Sequence, residues 1–217
     1  MIDSYEELVP QYISKEDFFR FAIEKTIYIP DSKVKEEWDA LKKRISANKP
    51  VFMRGMKNSV DNQLFFDFYD TVFGNKQVKK DPSNTQNPSK IMESLSGYKK
   101  SKDLKNYQLT PLFGKSKNIL AFCAPWNMAY IPNILDPLLN AEAKGALAQE
   151  FQAFFFKHNA EKFKSYITEY NEMVTNPHFV RKIDDHFHTV YDNVYYDNEI
   201  VMKFEPIFRE ELSPIEV

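Results

Sequence analysis

The chain contains one cysteine, five glycines and no long apolar run in its 217 residues. The single thiol, Cys123, excludes an internal disulfide framework and a zinc site built from several cysteines, and it favours a reducing compartment. The small number of glycines and the absence of an internal repeat argue against solenoids and linker-rich arrays. The first residues are acidic where a secretory signal would be basic and then apolar. We therefore expect a cytoplasmic protein that does not enter a membrane.

Apolar side chains are abundant enough to build a full core. Hydrophobic residues make up 43% of the chain and aromatic residues 15%, with 19 Phe and 12 Tyr. A chain of this length buries sufficient apolar area to offset its conformational entropy as one domain with appended helices. We expect an α+β fold in three segments: a helical segment over 1–48, a hairpin and helix core with a basic segment over 49–145, and a helical extension over 146–217.

Local patterns place the elements of this fold. Amphipathic spacing and capping residues predict helices after Ser14, after Asp31, over 62–73 and over 87–96. A longer helical stretch is expected over 141–170, with a break at Asn159. Three further segments are expected to be extended or irregular: a strand over 50–55, an exposed loop over 79–86, and a strand or irregular packing element over 195–204.

Positive charge is concentrated in one segment of an otherwise acidic chain. Residues 76–117 hold ten lysines against three acids, a local charge of +7, so that the rest of the chain carries −9. A protein that approaches a polyanion through one face has this distribution, although a solvated lysine-rich surface has it too. The predicted phosphate contacts are Lys99, Lys100, Lys102, Lys105, Lys115 and Lys117, because lysine acts as a long point charge that does not read sequence. Duplex DNA is the expected partner.

The segment that follows these lysines suggests a chemistry. It runs from Asn106-Tyr107-Gln108 through Phe113-Gly114-Lys115-Ser116-Lys117-Asn118 and Ala124-Pro125-Trp126-Asn127 to Tyr130-Ile131-Pro132, Asp136-Pro137 and Glu142-Ala143-Lys144-Gly145. Pro111 precedes Asn127 by 16 residues, and Asn127 precedes Asp136 by 9. This pattern resembles the HNH, or ββα-metal, nuclease core of a group of bacterial restriction and defence proteins. The resemblance extends over about residues 50–175 in overall pattern and is sharp over 106–145.

The resemblance implies a β-hairpin and helix in which the chemical residues are altered. In the family a histidine that acts as general base stands where this chain has Pro111, between Thr110 and Leu112, and a second histidine stands near Ala141. Asn127 occupies the position of the asparagine that braces the hairpin. Thr110, Asn127 and Asp136 are therefore the candidate catalytic residues, and the oxygens of Asp136, Asn140 and Glu142 are the candidate ligands for Mg²⁺. Because proline cannot accept a proton, we expect a degenerate nuclease that binds DNA, alone, as a homodimer or with a catalytic partner subunit.

Three alternatives remain open at the level of sequence. The chain could be an active metal-dependent endonuclease with altered ligands. It could also be a protein-interaction module that docks through the Phe-rich helix of residues 147–156. Finally, His186 and His188 would share one face of a strand and could bind a metal with a neighbouring Asp, whereas residues 182–191 fit an amphipathic helix equally well.

Overall fold

The computed structural model describes residues 2–9, 11–56, 59–140, 142–193 and 195–216, with the backbone alone for 59–61. Within these residues the helices and short strands follow one another along the chain as α1 (Ser4–Leu8), α2 (Lys15–Lys25), α3 (Asp31–Ser46), β1 (Val51–Met53), α4 (Ser59–Phe73), β2 (Val78–Lys80), α5 (Gln86–Ser96), α6 (Lys100–Asp103), β3 (Tyr107–Pro111), β4 (Met128–Pro132), α7 (Asp136–Leu139), α8 (Ala146–Lys162), α9 (Lys164–Val174), α10 (Pro177–Tyr191) and α11 (Asn198–Glu211). No helix in these described ranges combines the length and the apolar composition needed to cross a membrane.

The strands form two separate two-stranded sheets. β1 and β2 are parallel, with Val51 opposite Val78, and β3 and β4 are antiparallel, with Tyr107 opposite Pro132 and Pro111 opposite Met128. Helices supply the remaining layers around these small sheets. The expected α+β class is therefore confirmed.

Strand β4 lies between two hydrophobic clusters. Met128 and Tyr130 belong to the larger cluster, while Ala129 and Ile131 belong to the smaller one. This alternation follows from strand geometry, in which successive side chains point to opposite faces. Because both faces are covered, every residue of β4 is buried.

Each cluster is held by packed aromatic rings. In the larger cluster the Trp38 and Trp126 rings meet edge to face, with their centroids 5.6 Å apart. In the smaller cluster Phe19 of α2 packs against Phe151 of α8 at 5.3 Å. Pairs of this geometry contribute roughly 0.5–1.5 kcal/mol beyond their area burial. The larger cluster draws on residues from all three predicted segments.

The position of α8 bears on the interaction-module alternative. Leu147, Phe151 and Phe155 are buried beneath α2 and β4, and Phe156 is 38% exposed. Most of the Phe-rich stripe therefore serves as core, where it stabilises the fold and presents little area to a partner.

Several local predictions are confirmed. The Ser14 hydroxyl accepts the N–H of Asp17 at the start of α2, and Gly97 ends α5 with a φ of 82°. Val34, Trp38, Leu41 and Ile45 form the buried stripe of α3. In each case the deciding interaction is local, so the residue pattern contains it.

Four local predictions need correction. Helix α3 begins at Asp31 itself, after Pro30, and no side chain caps it. Lys79 and Lys80 belong to β2 and not to a loop, because they pair in parallel with β1. The break between α8 and α9 falls at Phe163. Asn159 stays helical, because its buried side-chain Nδ2 donates to the Phe155 carbonyl oxygen one turn earlier. The expected strand over 195–204 is mostly α11.

Helix α11 forms because its apolar residues recur at helical spacing beyond residue 204. Val201, Phe204 and Phe208 are all buried against the larger cluster. The carboxylate of Asp197 accepts the N–H of Glu199 and so caps the first turn. The alternation expected for a strand is absent over the same residues.

Candidate functional site

The predicted base position lies at one end of the β3–β4 ribbon. Pro111 ends β3 and is exposed, and Thr110 faces Ala129 across the ribbon. The Thr110 hydroxyl is buried and has no hydrogen-bond partner among the described residues. Neither side chain offers a group that accepts a proton near neutral pH, so this end of the ribbon holds no general base.

Asn127 braces the loop that joins the two strands. Its Oδ1 accepts the N–H of Phe113 at 2.8 Å, while its Nδ2 donates to the carbonyl oxygens of Gly114 at 2.9 Å and Ala121 at 3.1 Å. The side chain is 2% exposed, and both of its polar atoms are engaged. Its contacts are structural, and no part of the amide is free to orient a water molecule.

A small hollow with mainly apolar walls opens beside Pro111. It has a volume of about 120 Å³, and Arg54, Asn84, Thr85 and Ser116 supply its polar side chains. The Arg54 backbone N–H donates to the Ser116 carbonyl oxygen at 2.9 Å, which fixes Arg54 at the rim. No carboxylate of the described residues lies within ion-pair distance of its guanidinium. Arginine in such a hollow is suited to bind a phosphate oxygen pair.

The predicted metal ligands follow the other end of the ribbon. Asp136 begins α7, beyond the end of β4 at Pro132, whereas Pro111 lies beside Met128 at its start. Four residue steps of strand, about 14 Å, separate the two ends. Asn140 and Glu142 are exposed, and Ala141 lies outside the described residues. The structure therefore does not bring these oxygens to the base position.

Within the described part of the chain no three His, Cys, Asp or Glu side chains are grouped so that they could hold a metal ion. A magnesium site would need several oxygen ligands around one point. Asp136, Asn140 and Glu142 remain predicted ligands for Mg²⁺.

The two C-terminal histidines lie on helix α10, which separates them. His186 is buried edge to face against Phe68, with ring centroids 5.1 Å apart. Burial lowers the pKa of His186, and the nearby Asp67 carboxylate opposes that shift only in part. His188 is exposed and its Nδ1–H donates to the Asp184 carbonyl oxygen. The helical alternative for this segment is correct, and residues two positions apart on a helix do not share a ligand.

Two of the predicted DNA contacts are occupied inside the molecule. The Lys115 ammonium donates to Glu210 Oε1 at 2.9 Å and to the Ser213 hydroxyl at 2.6 Å, and its side chain is 10% exposed. Lys117 pairs with Glu211 at 3.2 Å. Both lysines anchor α11 to the loop after β3, so their charges serve packing.

The lysines around α5 and α6 are placed differently. Five of them are exposed and make no ion pair or side-chain hydrogen bond with a described residue: Lys90, Lys99, Lys100, Lys102 and Lys105. We call this set the α5–α6 lysine surface.

The acids of the same segment accept hydrogen bonds from backbone amides and form no ion pair with these lysines. Asp81 is buried and accepts the N–H groups of Ser83, Gln86 and Asn87, which caps α5 from outside the helix. Glu93 accepts the N–H of Lys100, which holds α6 against α5. The remaining acid, Asp103, accepts the N–H of Lys99 within α6. The three carboxylates are thus used by backbone amides.

Asp81 remains charged in its buried position. Burial alone would raise the pKa of this carboxyl, but the hydrogen bonds donated by Asn87, Gln86 and Ser83 lower it below its ordinary value. The N-terminal end of α5 therefore already holds an anion. Helix α5 starts at Gln86, one residue before the predicted start at 87, and the carboxylate of Asp81 accepts the N–H groups of its first two residues.

Sequence reasoning missed two residues that belong with this surface. Lys90 was counted in the basic segment but not among the DNA contacts, although it lies opposite the buried Pro88 and Met92 on α5. Arg54 is also absent from the predicted DNA contacts, although it lines a hollow together with Thr85 and Pro88 at the start of α5. The helical period of α5 predicts that Lys90 faces outward. That Arg54 has no carboxylate partner among the described residues depends on tertiary contacts, which the sequence pattern does not contain.

The described residues form a helix-rich α+β protein with a buried central strand and a set of exposed lysines around α5 and α6 that make no ion pair with them. The chain belongs to the family described as "Uncharacterised protein PM1201", which it matches over residues 29–217. It is 38% identical over 175 residues to "Uncharacterized protein PM1201" of Pasteurella multocida (strain Pm70), an alignment that covers 79% of each chain. No solved structure matches the chain.

Proposed function

We propose that the protein binds duplex DNA through the α5–α6 lysine surface and does not cleave it. The observation that carries this proposal is the set of five exposed ammonium groups whose neighbouring carboxylates are engaged by backbone amides. Phosphate contacts by free lysines supply most of the affinity of binding that does not depend on sequence. We expect a dissociation constant of roughly 10⁻⁴ to 10⁻⁶ M at physiological salt.

The dimensions of α5 suit a nucleic-acid strand. The helix has 11 residues and is therefore about 16 Å long. At the first turn of α5, Thr85 and Pro88 line the hollow together with Arg54. At the last turn of α5, the Glu93–Lys100 contact holds α6. Because one strand of a duplex carries a phosphate about every 3.4 Å along the axis, this length corresponds to about five phosphates. Arg54 and the lysines would contact the two ends of that stretch.

The resemblance to HNH nucleases supports the same proposal. An antiparallel ribbon, an asparagine that braces its loop and a short following helix are the parts that the resemblance implies, and β3, β4, Asn127 and α7 correspond to them in order. Pro111 replaces the residue that would take a proton from the attacking water. Loss of a general base alone lowers a rate by roughly two to four powers of ten. We propose a binding protein of restriction or defence type that acts with a catalytic partner subunit.

The test is a gel assay on supercoiled plasmid that reports mobility and nicking together. Two matched variants accompany the wild type. The lysine variant carries Lys99→Ala, Lys100→Ala and Lys102→Ala, and the control variant carries Lys144→Ala, Lys157→Ala and Lys203→Ala at exposed positions without ion pairs to described residues. Each is incubated in Mg²⁺, in Mn²⁺ and with a chelator.

We expect the wild type and the control variant to retard intact plasmid equally, and the lysine variant to require a higher protein concentration. Plasmid that is neither shifted nor cut would contradict DNA binding. Cleavage that depends on the metal, and that Asp136→Ala abolishes, would instead identify a metal-dependent endonuclease.

A further inference from the structure

A groove separate from the lysine surface lies between α3, α4, α9 and α10. Its volume is about 730 Å³, within the range typical of small-molecule sites. The floor is apolar and includes Val72, Leu120 and Met173. One wall is formed by Phe73 and Phe179, whose rings meet edge to face at 5.1 Å. Such a lining favours an apolar ligand body.

Positive charge surrounds this apolar floor. Lys43 at the end of α3 and Lys182 on α10 are exposed at the rim, and neither forms an ion pair with a described residue. Lys42 is also at the rim, but Asp39 and Glu169 hold its ammonium group. Two free cations therefore remain on opposite walls of the groove.

The acid at the rim does not cancel these charges. Asp39 accepts hydrogen bonds from Lys35 and Lys42, which lower its pKa to about 2. Its negative charge is thus balanced by cations that are already bound to it. A ligand that enters the groove meets an apolar floor and the uncompensated charges of Lys43 and Lys182.

We propose that this groove binds a small molecule with an apolar body and one anionic head group, of the class of a medium-chain carboxylate. The apolar chain lies on the floor along Val72 and Met173, and the carboxylate lies between Lys43 and Lys182. Charge complementarity across the groove selects the anion, while burial of the chain supplies most of the affinity.

The groove is independent of the DNA surface. Lys33 near the start of α3 donates to the Leu95 carbonyl oxygen of α5, whereas the groove is lined by Ile45 and Ser46 at the end of the same helix. About twelve residues of helix, roughly 18 Å, separate Lys33 from Ile45. Ligand binding and DNA binding can therefore be measured and can fail separately.

The experiment is isothermal titration calorimetry on the full chain with three probes: decanoate and decyltrimethylammonium below their micellar concentrations, and decanol below its solubility limit. The groove variant carries Lys43→Glu and Lys182→Glu. A matched control carries Lys157→Glu and Lys203→Glu, which change the net charge equally at positions outside the groove. Ser46→Trp places a large ring in the groove at an exposed position and tests occupancy without a change of charge.

We expect one decanoate site on the wild type, bound at least about tenfold more tightly than decanol or the cation. The groove variant should weaken decanoate by about tenfold or more and leave decanol unchanged, since only the anion meets the two lysines. Ser46→Trp should weaken the binding of both decanoate and decanol. No decanoate binding, equal affinity for the three head groups, or an equal loss in the matched control would each overturn the proposal.

Discussion

The side-chain Oδ1 of Asn127 accepts the backbone N–H of Phe113, 14 positions earlier in the chain, at 2.8 Å. The same amide donates to two further carbonyl oxygens of that loop. This buried side chain thus ties the start and the middle of the long connection between β3 and β4 to its end. The Arg54 N–H, which donates to the Ser116 carbonyl oxygen, holds the same loop from outside.

Replacement of Asn127 by alanine should destabilise the fold strongly. The change leaves the buried N–H of Phe113 and the carbonyl oxygen of Gly114 without partners, while the Ala121 carbonyl oxygen keeps the N–H of Ala124, at a cost of about 2–4 kcal/mol in the free energy of unfolding. Urea denaturation measures it. Asn133→Ala is the control, because this side chain is exposed. A loss under about 0.5 kcal/mol for Asn127→Ala, as for the control, would show that the brace is dispensable.

Asp81 should make the start of α5 sensitive to acid. Because its folded pKa lies below the unfolded value, its contribution is complete above about pH 4 and is lost as the pH falls through the folded pKa. Asp81→Asn should lower the free energy of unfolding by about 1–3 kcal/mol at pH 7, and the deficit should shrink at pH 3.

Urea midpoints at the two pH values give this comparison directly. Asp185→Asn, at an exposed position, serves as the matched loss of a carboxylate. A deficit for Asp81→Asn that stays constant with pH would contradict the role of the Asp81 carboxylate as the cap of α5.

His186 should also make the fold less stable at lower pH, as Asp81 does, but here the cause is burial of the imidazole ring. Its folded pKa is lowered by burial, so the unfolded chain binds more protons and stability falls as the pH decreases below about 6.5. His186→Phe keeps the ring contacts with Phe68 and removes the titration. Between about pH 6.5 and the folded pKa, the variant's stability should depend less steeply on pH, by up to about 1.4 kcal/mol per unit.

Thermal or urea unfolding over pH 5 to 7.5 provides the profile. His188→Gln, on the exposed side of α10, should retain the wild-type pH dependence. If the His186→Phe and wild-type profiles were parallel, His186 would not carry the effect.

Lys115 and Lys117 should matter for stability and not for DNA. Their pairs with Glu210 and Glu211 hold α11 in place, and replacement of both lysines by methionine should cost about 1–2 kcal/mol after allowance for the solvent exposure of Glu210. DNA affinity at a temperature where the variant stays folded should match the wild type. A loss of DNA affinity as large as that of the lysine variant would show that Lys115 and Lys117 contact DNA.

Local features of the fold were predictable from the sequence because short-range interactions decide them. The Ser14 cap, the stripe around Trp38 and the Gly97 stop each depend on neighbours within a few turns. The cap by Asp81 and the parallel strand at Lys79 depend on partners brought by the fold, and periodicity does not contain them. The same limit applies to α11, whose helical face appears only when Phe208 is included.

The candidate site likewise has features that the sequence predicts and features that depend on tertiary contacts. A basic segment could be recognised from composition, but the sequence could not distinguish Lys102, which is free, from Lys115, which an acid 95 residues away holds. The position of Asp136 relative to Pro111 likewise depends on strand register. Which charges remain available is a tertiary property.

The most direct test of the central claim is the salt dependence of duplex binding, followed by fluorescence anisotropy for the wild type and the lysine variant. If Arg54 and the five lysines each neutralise one phosphate, log K should fall against log salt with a slope of about −5. The slope should be smaller in magnitude by about 3 for the lysine variant and unchanged for the control variant. A wild-type slope near zero, or equal slopes for wild type and lysine variant, would contradict DNA binding through the α5–α6 lysine surface.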